Sequence, residues 1–580
     1  MNLNKIPGRR VPVLLASLLA ISNFAGAADN ANTTSATPAS TSAEAPSATE
    51  QIALLKAALA AQQKQLEALQ HAMEQQQKLL EKTLDSANAQ QTLRPNLGSV
   101  ASIAPIIPAP VAPLPAVAFP RPQAAAAPAA SKNPCEAAPD GNAVPAYLRL
   151  GDVCVIPVGF MDLTPFWRDK NAASSMGSNF GSVPYNNAAN GNLSEFHFSQ
   201  QNSRLGLRVD GDWKGAHFIG YNEFDFNGTS GSSSLAVSNG AIVPRLRLFW
   251  VDVRKDKLEF LAGQSWSMMT PNRKGISALP GDLFYSQVID INYVAGLTWT
   301  RQPGMRILYH PTDKVTFGFS AEQPDQYAGG SAGGSAITYP SALSGLSNTQ
   351  LDGATNVSVA NYLSQPAVSP DFIAKLAFDP NSRVHFEITG LESNFRITNA
   401  VAPFTSHFST IGGGVEANAN VEVVKNLRLI TNNYWSDGGG RYIFGQAPDV
   451  IVRANGTLSA LHSGSTLDGL EATIKNTLLY GYYGGIYIGR DVAIDANGTS
   501  KVGYGPLTSD GQNRAINEIT FGFNQTMWRN PRYGAINVMG QYEWLERDPW
   551  LVAAGAPKAT HDNTIYFNVR YTLPGSMPNF

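Results

Sequence analysis

The chain is poor in charge, in cysteine and in long apolar runs. Charged residues make up 15% of its 580 residues, and 42 basic residues nearly balance 44 acidic ones. Soluble domains usually carry about 25% charged residues, and a near-neutral balance offers no basic field to nucleic acid. No stretch of the chain reaches the roughly 20 apolar residues of a membrane-spanning helix. The composition therefore argues against an ordinary soluble domain, a nucleic-acid partner and a helical membrane protein.

Recognised catalytic motifs are missing as well. Gly263-Gln264-Ser265-Trp266-Ser267 lacks the second glycine of a nucleophile elbow, no HExxH motif occurs, and the 8 histidines are scattered. The glycines of Ile411-Gly412-Gly413-Gly414 precede no helix, so they form no phosphate loop. We predict that the chain is not an enzyme and binds no metal or cofactor. A hydrolase with a Ser-His pair assembled from distant strands is the alternative.

The N-terminus has the pattern of a secretory signal. Three basic residues precede the apolar run Val11 to Ile21, and Ala25-Gly26-Ala27 supplies small residues for cleavage. We predict a signal peptide over 1–27, with twin-arginine export at Arg9-Arg10 as the alternative. In an exported chain the only two cysteines, Cys135 and Cys154, predict one disulfide. Two free buried thiols are the other interpretation.

Three segments of different composition follow. Residues 28–50 are mostly Ala, Ser, Thr and Asn and are expected to be disordered. Residues 51–86 contain an a/d heptad seam, which predicts a coiled coil, with a single amphipathic helix as the alternative. Its positions are Ile52, Leu55, Leu59, Gln62, Leu66, Leu69, Met73, Gln76, Leu80 and Thr83. Residues 87–145 are rich in Pro and Ala, which favours an extended, semi-rigid linker.

From about residue 146 short segments alternate apolar and polar residues. In the segment 565–573 one face carries Ile, Phe, Val, Tyr and Leu, and the other carries Tyr, Asn, Arg and Thr. Such alternation is typical of strands between an apolar medium and water. It fits a soluble sandwich and a transmembrane barrel equally, so the lengths of the connections decide between them.

Tight turns alternate with long connections over 146–580. The tight turns are predicted at Gly211-Asp212, Lys255-Asp256, Thr312-Asp313, Pro380-Asn381, Lys425-Asn426, Gly481 and Asn530-Pro531. The long connections are 168–193, 228–243, 268–291, 324–369, 398–405, 437–467, 491–512 and 548–560. Outer-membrane barrels alternate short periplasmic turns with long outer loops. We therefore predict an all-β fold, a transmembrane antiparallel β-barrel of about 16 strands in the bacterial outer membrane, with the N-terminal arm in the periplasm.

Several short motifs in these strands carry a family resemblance. They are Gln201-Asn202-Ser203-Arg204-Leu205-Gly206, Arg245-Leu246-Arg247 through Trp250, Gly263-Gln264-Ser265-Trp266-Ser267 and Arg301-Gln302-Pro303. With them, the architecture over about 51–580 resembles the DcaP-like family of trimeric outer-membrane porins. The resemblance implies a periplasmic coiled coil, a sixteen-stranded barrel, a homotrimer and passive uptake of small, often anionic solutes. Barrels of this kind usually end with the final Phe inside the last strand. Here Pro574 to Asn579 separate Phe580 from the last strand.

A porin selects solutes with side chains that face its lumen. The pore-lining candidates are Arg204, Arg208, Arg245, Arg247, Arg306, Arg383 and Arg570. Guanidinium groups stay charged and bind carboxylates in a bidentate manner, so we predict a preference for small anions, carboxylates above all. The alternative is that these arginines only pair with inward carboxylates, namely Asp210, Glu223, Glu387, Glu518 and Glu543. The constriction-loop candidates, in the loop from Ser267 to Ile291, are Arg273, Lys274, Asp282 and Asp290.

The expected partners are small-molecule solutes, outer-membrane lipid and two further copies in a homotrimer. The arm is expected to contact peptidoglycan or another envelope protein. A second class of function is a structural tether, in which a non-conducting barrel anchors the coiled coil. An ordinary surface position for the loop from Ser267 to Ile291 is the alternative to a constriction.

The disulfide is the most direct sequence prediction to test. We expect the non-reduced protein to show no thiol reactive toward a maleimide, because Cys135 and Cys154 are bonded. Labelling after unfolding without reductant is the measurement, and reduction before labelling is the control. Two labelled thiols per chain in the non-reduced sample would contradict the bond.

Overall fold

A computed structural model describes 148–172, 174–228, 243–330, 334–343, 367–398, 407–506, 511–530 and 532–574. The segments predicted to be a signal peptide, a disordered region, a coiled coil and a linker lie outside these residues, as do Cys135 and Phe580. Within them the regular structure consists of strands and short 3-10 helices. None of the described helices is long and apolar enough to cross a membrane.

Strands account for most of the described chain, because apolar and polar residues alternate along it. Their bounds are β1 Leu148–Leu150, β2 Val153–Arg168, β3 Glu195–Ser199, β4 Arg204–Trp213, β5 Ala216–Gly228, β6 Val243–Lys255, β7 Leu258–Trp266, β8 Arg301–Thr312, β9 Val315–Glu322, β10 Asp371–Asn381, β11 Val384–Thr398, β12 His407–Val424, β13 Leu427–Asp437, β14 Val450–Val452, β15 Leu458–Ala460, β16 His462–Ile474, β17 Thr477–Ile488, β18 Asp491–Ile494, β19 Lys501–Tyr504, β20 Asn513–Asn530, β21 Gly534–Pro549 and β22 Thr560–Thr572. The pairs β14–β15 and β18–β19 form two separate small sheets.

The remaining strands form one sheet that closes on itself. Each strand pairs antiparallel with its neighbours, and β22 pairs with β2, so that the ends of the sheet meet. Both β3 and β4 pair with β2, one after the other, and together they span the wall once. Because β1 is a short addition beside β2, the result is the predicted closed barrel of 16 antiparallel strands.

The turns differ in detail from the sequence prediction. Near the start of the barrel Gly151, with φ +62°, turns the chain back so that β1 pairs with the start of β2. The turn predicted at Gly211-Asp212 lies at 214–215, where Lys214 and Gly215 both have positive φ. The turn predicted at Gly481 lies at 475–476, and Gly481 is inside β17. In the last two cases the glycine that predicted a turn lies within a strand, and the turn itself contains a lysine, Lys214 or Lys475, with positive φ.

Large apolar side chains cover the outer surface of the barrel. On β8 and β9 they are Met305, Ile307, Tyr309, Phe317 and Phe319, all exposed. Alternate residues on the same strands, such as Arg306 and Ser320, point inward and are buried. An apolar exterior around a polar interior is the arrangement of a barrel whose outer surface contacts lipid.

The outer surface can be tested at Phe319, which pairs with Ile307 on the neighbouring strand. We expect Phe319→Arg to lower the free energy of unfolding in lipid by about 2 to 4 kcal/mol, because the charge would lie near the middle of the bilayer. Urea titration in lipid vesicles is the measurement, and Phe319→Leu, which keeps an apolar side chain, is the control. Equal stability of the two variants would show that this surface does not face lipid.

Candidate pore and lumen loop

The connection between β7 and β8, residues 267–300, folds into the barrel, and we call it the lumen loop. Most of its side chains are buried, among them Met268, Phe284, Ile289 and Leu297. Its contacts reach strands far away around the wall, including β11, β13, β16, β20 and β21. A loop in contact with so many strands crosses the interior and divides the space within the barrel.

Inward acidic and amide side chains bind the backbone of the lumen loop. Glu387 on β11 accepts the backbone N–H of Asn272 at 3.1 Å. Glu518 on β20 accepts that of Ala295 at 2.7 Å. Asn432, Gln541 and Glu322 accept the N–H groups of Thr298, Ile289 and Met268. An irregular loop inside a barrel needs partners for its backbone groups, and these side chains supply them.

Two of the four constriction-loop candidates attach the loop to its surroundings. The guanidinium of Arg273 donates two hydrogen bonds to the carboxylate of Glu471 on β16, at 2.8 and 2.9 Å. The buried carboxylate of Asp290 accepts the backbone N–H of Ser178, in the connection after β2, at 3.0 Å. Lys274 is exposed, and Asp282 accepts a hydrogen bond from Ser277 within the loop. Within the described part of the chain, two of the candidates thus anchor the loop, and the other two form no hydrogen bond or ion pair across the lumen.

Glycines allow the loop to touch the wall. A Cβ on Gly484 of β17 would lie 1.9 Å from the carbonyl oxygen of Ala295, and one on Gly296, with φ +88°, would lie 2.3 Å from the carbonyl oxygen of Thr466. Neither position can hold a side chain without displacing the loop. The loop is therefore held against β16 and β17 by direct backbone contact.

The inner face of β2, β4 to β6, β8 and β22 is rich in arginine, and we call it the basic wall. It consists of Arg204, Arg208, Arg245, Arg247, Arg301 and Arg570 with the carboxylates Asp162, Asp210, Glu223 and Asp225. The acidic residues of β5 lie between the arginines of β4 and β6, since Arg247 contacts both Glu223 and Asp225 at 2.7 Å. Arg204 lies 3.7 Å from Glu223, and Arg245 lies 2.6 Å from Asp225. Arginines of β4 and β6 therefore lie along one wall, and the carboxylates of β5 form ion pairs with them.

Four arginines of the basic wall, Arg204, Arg208, Arg245 and Arg570, are more exposed than their acidic partners, whereas Arg247 is buried with its partners. The side chain of Arg208 is 27% exposed and that of Asp210 is 0%. The values are 36% and 4% for Arg245 and Asp225, and 19% and 0% for Arg570 and Asp162. Six guanidinium groups also outnumber four carboxylates. Water beside this wall therefore meets a positive surface although nearly every arginine has an acidic partner.

Aromatic residues that are not among the predicted site residues also lie beside the basic wall. The hydroxyl of Tyr293, in the lumen loop, accepts a hydrogen bond from Arg204 at 3.2 Å, and its ring stacks on Tyr285 with centroids 4.5 Å apart. Arg301 lies over the Trp266 ring at 5.4 Å and, among the described residues, takes part in no ion pair. Arg301 belongs to the motif Arg301-Gln302-Pro303, which contributed to the family resemblance. Its position over Trp266 could not be predicted, because the fold brings the two side chains together.

The other arginine candidates lie elsewhere. Arg306 is buried on the inner face of β8, where its Nε and Nη2 atoms have no hydrogen-bond partner. Arg383 lies at the turn between β10 and β11, with its side chain 60% exposed and 4.0 Å from Glu422. It therefore does not lie on the pore wall, because it is a turn residue just before the start of β11. Of the predicted acidic partners, Glu387 pairs with Lys375, while Glu518 and Glu543 bind Ala295 and Ser178.

Solved structures of outer-membrane channels have a similar fold. The outer membrane channel DcaP of Acinetobacter baumannii matches with a TM-score of 0.52 at 16% sequence identity, over 74% of this chain and 99% of that chain. An anion-selective porin from Comamonas acidovorans matches with a TM-score of 0.40 at 12% identity, over 72% and 99% of the two chains, a score too low to support an argument. No family model matches the sequence, and no curated protein matches it significantly. The resemblance to DcaP-like porins is confirmed in fold.

The attachment of the lumen loop can be tested at the Arg273–Glu471 pair. We expect Glu471→Ala to lower the free energy of unfolding by about 3 kcal/mol, because it leaves the buried part of the Arg273 guanidinium unpaired. We also expect a larger and noisier single-channel conductance, because the loop loses an anchor. Urea titration and bilayer recording are the measurements.

The control is the double variant Arg273→Ala with Glu471→Ala, which removes both charges together. It should be more stable than Glu471→Ala alone, because no charge remains without a partner. Unchanged stability and conductance in Glu471→Ala would show that the pair does not hold the loop.

Proposed function

We propose that this chain, which has the fold of the DcaP outer-membrane channel, is an outer-membrane porin that lets small polar solutes diffuse passively. The closed barrel with an apolar exterior supports the membrane location. The loop folded into its interior supports a channel in which 267–300 limits the size of the solute. No chemical step is part of this function.

The solute path in this proposal follows the basic wall. Among the other inward carboxylates, Glu387, Glu518 and Glu543 are almost completely buried and bind the lumen loop or the Ser178 segment. On the basic wall the ends of Arg208, Arg245 and Arg570 stay partly exposed. Water and solutes can pass only where side chains are accessible, which favours this side.

The same wall supports a preference for small anions, carboxylates above all. Exposed guanidinium groups bind carboxylates with paired hydrogen bonds, and their own acidic partners are buried beneath them. The observation that carries the proposal is this difference in exposure. The side chain of Arg208 is more exposed than that of its partner Asp210, and the side chain of Arg570 is more exposed than that of its partner Asp162. The near-neutral net charge of the chain does not oppose it, because the carboxylates inside the barrel are buried, either against the loop or beneath the arginines.

Reversal potentials in a salt gradient across a planar bilayer test this preference. We expect the wild-type protein to conduct and to favour anions. The double variant Arg204→Ser with Arg245→Ser should lose most of this preference, because it removes two positive groups while Glu223 and Asp225 remain paired with Arg247. Arg383→Ser, at the turn, is the matched control and should conduct as the wild type does. Cation preference in the wild type, or an unchanged preference in the double variant, would contradict the proposal.

One observation favours the second candidate, a structural tether with a non-conducting barrel. Apolar inward residues of the wall, among them Leu248, Trp250 and Leu261, pack with the lumen loop in one cluster, which fills part of the interior. In this case the coiled coil predicted over 51–86 is the working part and contacts peptidoglycan or another envelope protein. Folded barrels that insert into the bilayer and carry no current would favour the tether over the porin.

We also propose that the chain forms a homotrimer, supported by the a/d seam over 51–86 and by the family resemblance. The full-length protein in mild detergent should have the mass of three chains. Replacing Leu59 and Leu66, both on the seam, by Asp should weaken the trimer, while the same change at the off-seam Ala61 should not. A monomeric mass for the intact wild-type protein would contradict the proposal.

A further inference from the structure

The tight turns of the barrel share one feature of sequence. Within the described part of the chain, seven tight turns join consecutive strands of the wall, and each contains a single basic residue. These residues are Lys214, Lys257, Lys314, Arg383, Lys425, Lys475 and Arg532, and all are exposed. Two acidic residues, Asp256 and Asp313, lie in the same turns. The turns therefore form a ring of net positive charge at one end of the barrel, and we call it the basic rim.

Turn geometry does not explain these basic residues. Lys214 and Lys475 have φ values of +48° and +56°, a left-handed conformation that glycine and asparagine adopt at lower cost. In the turn between β12 and β13 an asparagine, Asn426, has this conformation with φ +66°, and Lys425 precedes it. A lysine is thus present whether or not it occupies the left-handed position, which indicates a role for its charge.

Ion pairs within the barrel neutralise little of this charge. Arg383 lies 4.0 Å from Glu422. Among the described residues, the other six members of the basic rim take part in no ion pair. The ammonium group of Lys214 lies 4.6 Å from the centre of the Trp213 ring, a contact that leaves its positive charge in place. Most of the basic rim is therefore available to an anionic partner.

The apolar exterior of the barrel extends as far as the basic rim. Trp213, Leu258, Val424, Ile474 and Tyr533 are exposed, and each is the neighbour in sequence of a basic residue of the rim. Aromatic and basic side chains at the end of an apolar band are typical of the level of the lipid headgroups. The basic rim therefore lies at the border of the bilayer, within reach of headgroup phosphates.

We propose that the basic rim binds anionic phospholipids through their phosphate groups. Short turns of outer-membrane barrels face the periplasm, so the lipids are those of the inner leaflet. Clusters of Lys and Arg beside a bilayer attract anionic headgroups, and lysine binds phosphate as a point charge. Peptidoglycan is the other anionic neighbour on this side, but the apolar residue beside each basic one favours a lipid. The inference rests on the membrane location in the proposed function and does not depend on the barrel being open.

Native mass spectrometry of the full-length protein in mild detergent tests this binding. The probes are phosphatidylglycerol and phosphatidylethanolamine with the same acyl chains, added in equal amounts. We expect the wild-type protein to retain several-fold more of the anionic phosphatidylglycerol. The triple variant Lys214→Gln, Lys257→Gln and Lys475→Gln should lose most of this preference, because it removes three positive groups that have no ion-pair partner among the described residues.

Two further triple variants are the controls. Arginine in place of lysine at the same three positions keeps the charge and should retain the preference for phosphatidylglycerol. Arg490→Gln, Lys501→Gln and Lys558→Gln together remove three exposed basic residues from the long connections at the other end of the barrel, and this variant should bind as the wild type does.

Equal retention of the two lipids by the wild-type protein, or an equal loss in the two glutamine variants, would overturn the proposal. No lipid preference together with binding to isolated peptidoglycan that the turn variant loses would assign the basic rim to that polymer and overturn it as well. Single-channel recording of the same variants shows separately whether the barrel conducts, so the two proposals can fail independently.

Discussion

The arrangement of the interior depends on hydrogen bonds from the backbone of the lumen loop to inward side chains of the wall. Glu387 and Glu518 each accept N–H groups of this loop, whose one short 3-10 helix, Pro280–Asp282, leaves most of its backbone groups without a helical or strand partner. A buried N–H group without a partner costs about 1 to 3 kcal/mol, so the position of the loop follows from the positions of its acceptors. Gly296 and Gly484 permit the loop to approach the wall, and the ion pair between Arg273 and Glu471 fixes the first part of the loop.

This attachment also determines which charges remain accessible. The carboxylates that bind the loop are buried, while arginines on the basic wall extend past their acidic partners toward water. A chain with almost no net charge can therefore present a positive lumen surface. The local field beside a pore is set by the charges nearest the water, and the total over the chain says little about it.

Much of the fold could be predicted from the sequence, because a barrel repeats the same two signals, alternation along strands and alternation of connection lengths. Inward positions such as Arg204 and Arg570 follow from the period of two. The partners could not be predicted, since Arg273 and Glu471 are almost two hundred residues apart and meet only because the loop folds inward. The same holds for Tyr293 beside Arg204, and for Arg383, which lies in the turn between β10 and β11 and not on the wall.

The central claim is that the lumen loop closes one side of the interior and leaves the basic wall open. Cysteine accessibility during bilayer recording tests it most directly, with a cysteine at Arg245 in one variant and at Glu518 in another. A negatively charged, water-soluble thiol reagent should reduce the current through Arg245→Cys within the recording and leave the current through Glu518→Cys unchanged. Block of Glu518→Cys with no effect on Arg245→Cys would place the path on the opposite side and contradict the account.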